Sequence, residues 1–364
     1  MSRFARRRRV LFIEEPVFDG DEPRLDVGHT RSGAVIAVPA LPAGLTPADA
    51  VDEQRRLLDD LLERQEVVAF VCWYYTPMAL AFTRHLRPLV TVYDCMDELS
   101  AFAGAPPDLR RLEFELLERA DLVFTGGQSL YRAKRPLNSR VYAFPSGVDA
   151  HHFQRRRPAL ADPPDQAAIP RPRLGFYGVI DERMDLDLLA TVASRRPDWH
   201  VVLVGPVVKI DPRALPAAPN LHYLGQKGYD ALPAYISGWD VAIIPFARND
   251  ATAFISPTKT LEYLAAGKPV VSTPITDVVH PYGDEELVLV AADADGFVEA
   301  VEVSLSQSPN GARRSADRLL ARASWDATFE RMRTLVEAAE DALEPPGERA
   351  RRRDALRSVA GDAG

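Results

Sequence analysis

With 364 residues, the chain is too long for a single ordinary hydrophobic core, and its length predicts two domains of roughly 150 residues each. Hydrophobic residues make up 46% and charged residues 26% of the sequence, which is typical of globular rather than disordered proteins. A formal net charge of -8 argues against nucleic acid as a partner, because phosphate backbones are bound by basic surfaces.

The apolar runs of the sequence are too short to cross a membrane. The longest of them, residues 67–75 and 241–246, fall well below the roughly 20 residues that span a bilayer. The four arginines at residues 6–9 resemble the start of a secretory signal, but Glu14 soon interrupts the apolar run behind them. We therefore expect a cytoplasmic protein.

Arginines are clustered at residues 6–9, 155–157 and 351–353, which fall in predicted tails or linkers. Two interpretations stay open for these clusters. They are solvated charges, or they make peripheral contact with anionic lipid headgroups at the inner membrane surface.

From its start, the chain alternates β-rich runs with helical stretches, which is the pattern of a parallel sheet with crossover helices. In the first half, strands are predicted at residues 9–13, 67–73, 89–93, 122–125 and 141–144. Helices are predicted at residues 47–64, 109–120 and 129–135. These elements fit one doubly wound domain at residues 1–154.

Prolines interrupt this pattern. Five of them lie between residues 155 and 173, where they disfavour helix and central strand, so we predict a linker at residues 155–172. A second alternating series predicts a domain at residues 173–323, with strands at residues 174–177, 201–204, 221–224, 241–245, 270–272 and 287–290.

The chain is expected to end in a helix followed by a tail. Residues 324–343 are predicted as a helix capped by Ser324, with Trp325, Phe329 and Met332 on one face. Residues 344–364 begin with prolines and glycine and continue rich in arginine, so we expect them to be disordered.

The most informative segment, residues 254–271, reads FISPTKTLEYLAAGKPVV. Ser256 is a favoured helix N-cap, and Pro257 suits the first helical position because its missing N–H is not needed there. Gly267 is a typical residue to end a helix. The pattern therefore predicts a short helix that starts at Ser256.

Lys259 falls at the third position of this predicted helix, where the helix dipole disfavours a cation. An anion is therefore expected nearby. A diphosphate fits, because the free N–H groups of a helix start, here including Ser256 and Thr258, form an anion site to which Lys259 adds a charge. Only five of the 44 basic residues are lysines, so Lys259 is not simply the usual basic residue of this chain.

Glu262 lies three residues after Lys259, on the same face of the predicted helix. Its carboxylate can accept hydrogen bonds from two ribose hydroxyls, each worth roughly 1.5 to 3 kcal/mol. An exposed ion pair with Lys259 explains the same spacing equally well. The spacing alone leaves both interpretations open.

This segment resembles the donor-site helix of GT-B glycosyltransferases similar to family 4, among them the teichuronic-acid type enzymes of bacterial surface polysaccharide synthesis. Further stretches resemble the same family in the same order, and together they span most of residues 9–339. They are YDCMDEL at 93–99, ADLVFT at 120–125, PSGVD at 145–149, GFYGVI at 175–180, WDVA at 239–242 and SWD at 324–326.

The resemblance implies an α/β protein of GT-B fold. Its two Rossmann-like domains are expected to have parallel sheets facing a central cleft, with the acceptor on the N-terminal domain, the donor on the C-terminal domain, and a C-terminal helix that crosses back to the N-terminal domain. The implied reaction is a metal-independent hexosyl transfer, with retention, from a nucleotide-diphosphate sugar to a glycan or lipid-linked glycan acceptor.

In this family, the second Glu of a Glu-x7-Glu motif holds the donor ribose, and Glu262 matches it. Phe254 stands where the first Glu is expected, so the family's contact to the donor sugar is not carried over. A nucleotide-sugar- or carbohydrate-binding subunit without turnover is therefore one alternative function. A nucleotide-sugar epimerase is another.

Two further donor-site candidates follow the strand predicted at 174–177. Gly178 ends this strand, where a glycine lets the backbone approach a phosphate closely. Arg183 lies in the same loop, and it is expected either to reach the diphosphate or to pair with Asp181 or Glu182.

In the first half, Asp94, Asp97 and Glu98 come just past a predicted strand, at the edge where open parallel sheets bind ligands. Asp94 and Asp97 are our candidates for a catalytic base or for a group that holds the acceptor. A helix cap is an equal alternative for Asp97.

No metal or other cofactor is expected. Asp293 and Asp295 match the Asp-x-Asp metal motif of the other main glycosyltransferase fold, but their place between a strand and a helix favours N-capping. Cys72 and Cys95 lie in apolar stretches, which favours buried free thiols over a disulfide or a zinc site.

Overall fold

The structure, a computed structural model, describes residues 1–154, 160–306 and 313–343. The arginine clusters at 155–157 and 351–353, the start of the predicted linker and the predicted tail at 344–364 lie outside these residues. Within them, no helix combines the length and the apolar character needed to cross a bilayer.

The first sheet has four strands, of which the sequence predicted one. β1 (Leu11–Ile13), β4 (Val35–Pro42) and β2 (Val17–Gly20) are parallel neighbours in that order, and β3 (Arg24–His29) pairs with β4 antiparallel. The pattern missed β4 because two prolines lie within the strand, and prolines usually exclude a central strand. It missed β2 and β3 because most of their residues are exposed.

The second sheet has four strands in the order β5-β6-β7-β8. They are β5 (Val71–Tyr74), β6 (Val90–Cys95), β7 (Leu122–Thr125) and β8 (Val141–Ala143). All four were predicted. The bounds of β6 differ from the prediction, because the strand continues through Asp94 to Cys95.

The third sheet has six parallel strands in the order β11-β10-β9-β12-β13-β14, and all six were predicted. Because β9 lies between β10 and β12, the strand order reverses at β9, and open α/β sheets bind ligands at the carboxyl ends of the strands where this happens. The strands are β9 (Arg173–Tyr177), β10 (His200–Val204), β11 (Leu221–Tyr223), β12 (Val241–Ile244), β13 (Val270–Ser272) and β14 (Leu289–Val290).

Helices connect most of these strands. Those of the described residues are α1 (Ser2–Ala5), α2 (Pro47–Arg64), α3 (Leu80–Thr83), α4 (Leu109–Arg119), α5 (Gln128–Lys134), α6 (Ala150–Phe153), α7 (Pro164–Ala167), α8 (Leu186–Arg195), α9 (Leu232–Ser237), α10 (Lys259–Ala265), α11 (Thr276–Val278), α12 (Ala294–Ser306), α13 (Arg313–Arg322) and α14 (Trp325–Leu343).

The described part of the predicted linker contains a helix. Pro164 begins α7 at a helical position where its missing N–H is not needed. Gln166 in this helix is fully buried, and its Oε1 accepts a hydrogen bond from Trp239 Nε1 at 2.9 Å. The expectation that prolines exclude a helix here was therefore wrong.

The chain folds into two compact units, one of residues 1–94, 107–123 and the described residues from 332, the other of residues 95–106 and 124–331. In the first unit, Arg8 donates two hydrogen bonds to Glu340 of α14, at 2.6 and 2.8 Å. The closing helix thus returns to the N-terminal residues, as predicted. Arg8 is thus paired with Glu340, although about a third of its side chain stays exposed to solvent.

The core of the second unit covers the third sheet. Gly175 in β9 leaves room for the indole of Trp239, because a Cβ at this position would lie 1.7 Å from the ring. The ring of Tyr263 in α10 packs edge-on against Trp239, with 5.8 Å between centroids. This packing fixes α10 beside the carboxyl end of β9.

Candidate functional site

The helix that carries Lys259 starts later than the sequence predicted. α10 begins at Lys259, and Thr258 occupies the N-cap position with helical dihedral angles and no side-chain cap. Thr260 N–H bonds to Pro257 O at 3.2 Å, so a tight turn precedes the helix. Ser256 does not cap the helix, and that prediction was wrong. The predicted end is confirmed, since Gly267 follows the helix with φ of 69°.

Lys259 has no anionic partner among the described residues. Its ammonium lies 5.4 Å from the centre of the Phe176 ring and 5.2 Å from that of Phe246. Burial lowers the pKa of Lys259 to about 8, with a smaller contribution from Arg183 in the same direction, while Asp181 acts to raise it. The ammonium therefore interacts with two aromatic rings but has no counter-ion among the described residues, and a bound anion would supply one.

Gly178 makes the position of Lys259 possible. Its φ of +141° is a conformation that side chains rarely adopt. A Cβ on Gly178 would lie 3.1 Å from Lys259 Cε and 3.3 Å from Lys259 Nζ. The predicted reason for a glycine was the approach of a phosphate, and the structure adds that the lysine itself packs against this residue.

Glu262 lies one turn further along α10 and is partly buried. Its carboxylate accepts a hydrogen bond from Tyr177 Oη rather than from Lys259, so the predicted ion pair does not form. Burial raises the pKa of Glu262 to about 7. Tyr177 is fixed in turn, because its backbone N–H donates to Tyr263 Oη at 3.0 Å.

Tyr177 is a site residue that the sequence analysis missed. Its position was a usable signal, because it is the last residue of β9, directly before Gly178 and at the edge where the strand order reverses. Its ring stacks on Phe153 with 6.4 Å between centroids. The partner of Glu262 therefore comes from a different element than α10.

Arg183 pairs with Asp181, one of the two partners considered for it. Nε and Nη2 of the guanidinium donate to the Asp181 carboxylate at 2.9 and 2.7 Å, and this bond raises the pKa of Arg183. The guanidinium carbon lies 5.7 Å from the centre of the Phe102 ring. Asp181 takes up two of the three guanidinium nitrogens and leaves Nη1 for another contact.

The two carboxylates proposed for catalysis fall in different units. Asp94, in the first unit, lies inside β6 and not past its end, and this prediction was wrong because the strand continues to Cys95. Its side chain is 4% exposed and accepts a hydrogen bond from Trp73 Nε1 at 3.0 Å. Burial raises the pKa of Asp94 to about 6.

Asp97 belongs to the second unit, like Lys259 and Glu262. Burial raises the pKa of Asp97, and the charge of Arg183 acts in the opposite direction. A short 3-10 helix follows at Leu99–Ala101 and has no side-chain cap, so the helix-cap alternative for Asp97 is not what the structure shows. Asp97 is therefore the candidate carboxylate that lies within the electrostatic reach of Arg183.

The Asp-x-Asp sequence at residues 293–295 lies at the start of α12. Asp293 Oδ1 accepts a hydrogen bond from Gly296 N at 2.9 Å, which confirms the predicted N-cap, and Asp295 pairs with Arg195. Among the described residues, no three His, Cys, Asp or Glu side chains are grouped as metal ligands. Cys72 and Cys95 form no disulfide, as predicted; Cys95 is buried, whereas Cys72 is partly exposed, so the expectation of a buried thiol was wrong for Cys72.

Residues 171–307 match the family described as Glycosyl transferases group 1. This segment is similar to a group 1 glycosyltransferase domain. The matched segment contains Gly178, Arg183, Lys259 and Glu262 together with all six strands of the third sheet. The predicted resemblance to GT-B glycosyltransferases is thereby confirmed.

The fold of the chain is GT-B, as predicted. The structure is similar to sucrose-phosphate synthase from Thermosynechococcus elongatus, with a TM-score of 0.69 and 16% identity over 92% of this chain and 90% of that one. It is also similar to HepE from Anabaena in complex with UDP, with a TM-score of 0.66 and 13% identity over 91% of this chain and 100% of that one.

One curated relative is similar in sequence. It is a teichuronic acid biosynthesis glycosyltransferase, TuaH of Bacillus subtilis strain 168, whose own assignment is provisional. The identity is 26% over 298 residues, which cover 75% of this chain and 73% of the relative.

Proposed function

We propose that the chain transfers a hexosyl group from a nucleotide-diphosphate sugar to a glycan or lipid-linked glycan acceptor in surface polysaccharide biosynthesis. The observation that carries the proposal is the ammonium of Lys259, which has no anionic partner among the described residues and packs against Gly178 at the carboxyl end of β9. A diphosphate supplies the oxygens that this cation lacks, at the edge of the sheet where α/β proteins bind ligands.

Each side chain of the site then has one role. Lys259 binds the diphosphate and stabilises its growing charge as the sugar departs. Arg183, held by Asp181, offers its remaining Nη1 to the same group. Glu262 exchanges the hydroxyl of Tyr177 for the hydroxyls of the ribose. Ser256 and Thr258, in the turn before α10, are further candidates for the diphosphate.

Two cations at the diphosphate supply the charge that a metal ion provides in other enzymes, so we propose transfer without a metal. Glycosyl transfer that persists in excess EDTA would support transfer without a metal. Retention of configuration is part of the proposal, and it is supported by the family resemblance alone. Asp97, and after it Asp94, are the candidate carboxylates for the acceptor hydroxyl.

The comparisons support the classes of donor and acceptor. HepE was solved with UDP and, in another structure, with UDP-glucose, which makes a uridine nucleotide a reasonable first donor. The name of TuaH refers to teichuronic acid, a surface polymer, which makes a glycan acceptor reasonable. We propose that the reaction takes place in the cytoplasm, with peripheral contact to the inner membrane surface where the acceptor carries a lipid.

Calorimetry with UDP, GDP and dTDP tests the donor site. Replacing Glu262 by Ala removes up to two charge-assisted hydrogen bonds to the ribose, so we expect nucleotide affinity to fall about tenfold to hundredfold. Glu299→Ala, on an exposed position of α12, is the control for loss of a carboxylate and should bind as the wild type does.

The outcomes separate the candidate functions. Unchanged affinity in Glu262→Ala would contradict the proposed site. Nucleotide-sugar binding without transfer to any glycan acceptor would favour a binding subunit, for which Phe254 in place of a Glu is the motivating observation. Conversion of the nucleotide sugar without an acceptor would favour an epimerase.

A further inference from the structure

The loop after β9 contains a carboxylate that no described group satisfies. Both carboxylate oxygens of Glu182 are buried, with less than 1 Å² exposed on each, and neither accepts a hydrogen bond. Among the described side chains, Glu182 is the only carboxylate with both oxygens in this condition. A buried carboxylate without donors is costly and rare in folded proteins, so this one calls for an explanation.

A loosely placed loop does not account for Glu182. Its carbonyl oxygen accepts a hydrogen bond from Asn249 Nδ2 at 3.0 Å, and the carbonyl oxygen of Arg183 accepts one from Ala247 N at 2.7 Å. The loop is therefore fixed on the segment that follows β12. The carbonyl oxygen of Glu182 is hydrogen-bonded, and only its carboxylate lacks partners.

The neighbouring charges do not supply a partner either. Arg183 directs Nε and Nη2 to Asp181, and Glu182 accepts no hydrogen bond from it. Lys259, which packs against Gly178 at the start of the same loop, lies over two phenylalanine rings. The carboxylate of Glu182 can thus accept two or more hydrogen bonds. It lies in the same loop as Arg183, and Lys259 packs against Gly178 at the start of that loop. These are the two cations proposed to bind the diphosphate.

We propose that Glu182 binds hydroxyl groups of the donor's sugar and selects a neutral hexose over a uronic acid. This inference rests on the proposed function. In a nucleotide-diphosphate sugar, the sugar is the group that follows the diphosphate, and its hydroxyls are the donors that this carboxylate lacks. A sugar carboxylate at the same place would bring two negative charges together. Because neither oxygen is open to solvent, the sugar reaches Glu182 only after a local shift of the side chains that cover it.

Calorimetry on Glu182→Gln tests the proposal with UDP, GDP and dTDP and with their hexose conjugates. We expect the hexose conjugate of the preferred nucleotide to bind about tenfold more weakly or worse, because a charge-assisted bond is lost, while the free diphosphate binds as in the wild type. The wild type should also bind the glucuronic acid conjugate more weakly than the glucose conjugate, and Glu182→Gln should narrow that gap. Asp187→Asn, an exposed change of equal charge in α8, is the matched control and should change neither affinity.

Thermal unfolding without ligand supplies an independent readout. Since Glu182 has no partner to lose, Glu182→Gln should unfold at the same or a higher temperature than the wild type. A lower unfolding temperature would show that the carboxylate has a structural role and would overturn the inference. Equal binding of hexose conjugates by wild type and Glu182→Gln would overturn it as well. Failure of every nucleotide to bind the wild type would instead overturn the proposed function.

Discussion

Replacing Lys259 by Met gives the sharpest test of the diphosphate site, because it removes the charge and keeps an apolar side chain against Phe176 and Phe246. Burial lowers the pKa of Lys259 from 10.5 to about 8, which corresponds to a penalty of roughly 3 kcal/mol on the charged form in the folded protein. Part of the Lys259 side chain is exposed and its contacts with the rings are favourable, so the gain is smaller than this penalty. We expect Lys259→Met to be about 1 to 2 kcal/mol more stable than the wild type at pH 7.

The pH dependence of this stabilisation has a definite sign. Because the folded-state pKa lies below the unfolded one, the penalty is complete below about pH 8 and disappears as the pH approaches 10.5. In urea unfolding, Lys259→Met should therefore have a higher free energy of unfolding than the wild type at pH 7. Near pH 10.5 the two proteins should have the same free energy of unfolding. Calorimetry at pH 7 should show nucleoside diphosphate affinity reduced about tenfold to hundredfold.

Lys268→Met is the matched control for this substitution. Nζ of Lys268 donates to the carbonyl oxygens of Ser237 and Trp239 at 2.9 and 2.6 Å, so its removal leaves two acceptors unpaired. The control should lower stability and leave nucleotide affinity unchanged. The reasoning would be refuted by a Lys259→Met protein that is less stable than the wild type at pH 7 and still binds nucleotide with the same affinity.

Two further predictions concern the same site. Nucleotide affinity should fall as the pH drops through about 7. Burial raises the pKa of Glu262 to about 7, and a protonated carboxyl accepts hydrogen bonds from ribose less well. Calorimetry at a series of pH values measures this fall in affinity. Tyr177→Phe removes a donor to the carboxylate and should move this fall to higher pH, and an unchanged profile would contradict the assignment. Gly178→Ala should weaken nucleotide binding several-fold, because the new Cβ meets Lys259 at 3.1 Å in a backbone conformation that disfavours alanine; affinity equal to the wild type would count against the role of this contact.

Most of the strands could be predicted because their sequences carry an unambiguous pattern. Strands such as β10 and β12 are short apolar runs buried along nearly their whole length. β2 and β3 could not be predicted, since their side chains are mostly exposed and their order depends on pairing with β4. α7 could not be predicted from the prolines, because Pro164 stands at the first helical position, where a proline does not break a helix.

Lys259 and Glu262 could be identified from their spacing, but their partners could not. The hydroxyl that reaches Glu262 belongs to Tyr177, 85 positions earlier in the chain, and only the packing of α10 beside β9 brings them together. The prediction of Ser256 as the cap failed for a related reason. Local propensity favoured a cap at Ser256, whereas a tight turn at Pro257 delays the helix to Lys259.

The charges around the loop after β9 are better explained by a ligand than by the fold. Lys259 packs against Gly178 at the start of this loop and Glu182 lies further along it, yet the two opposite charges do not pair with each other in the described residues. An ion pair between them would give Lys259 a counter-ion and Glu182 a hydrogen-bond donor, and Asp181 and Arg183 show that such a pair fits in this loop. In the proposed function, a diphosphate sugar uses both at once, a cation for its phosphates and an acceptor for its hydroxyls, and this use would account for two charges kept apart.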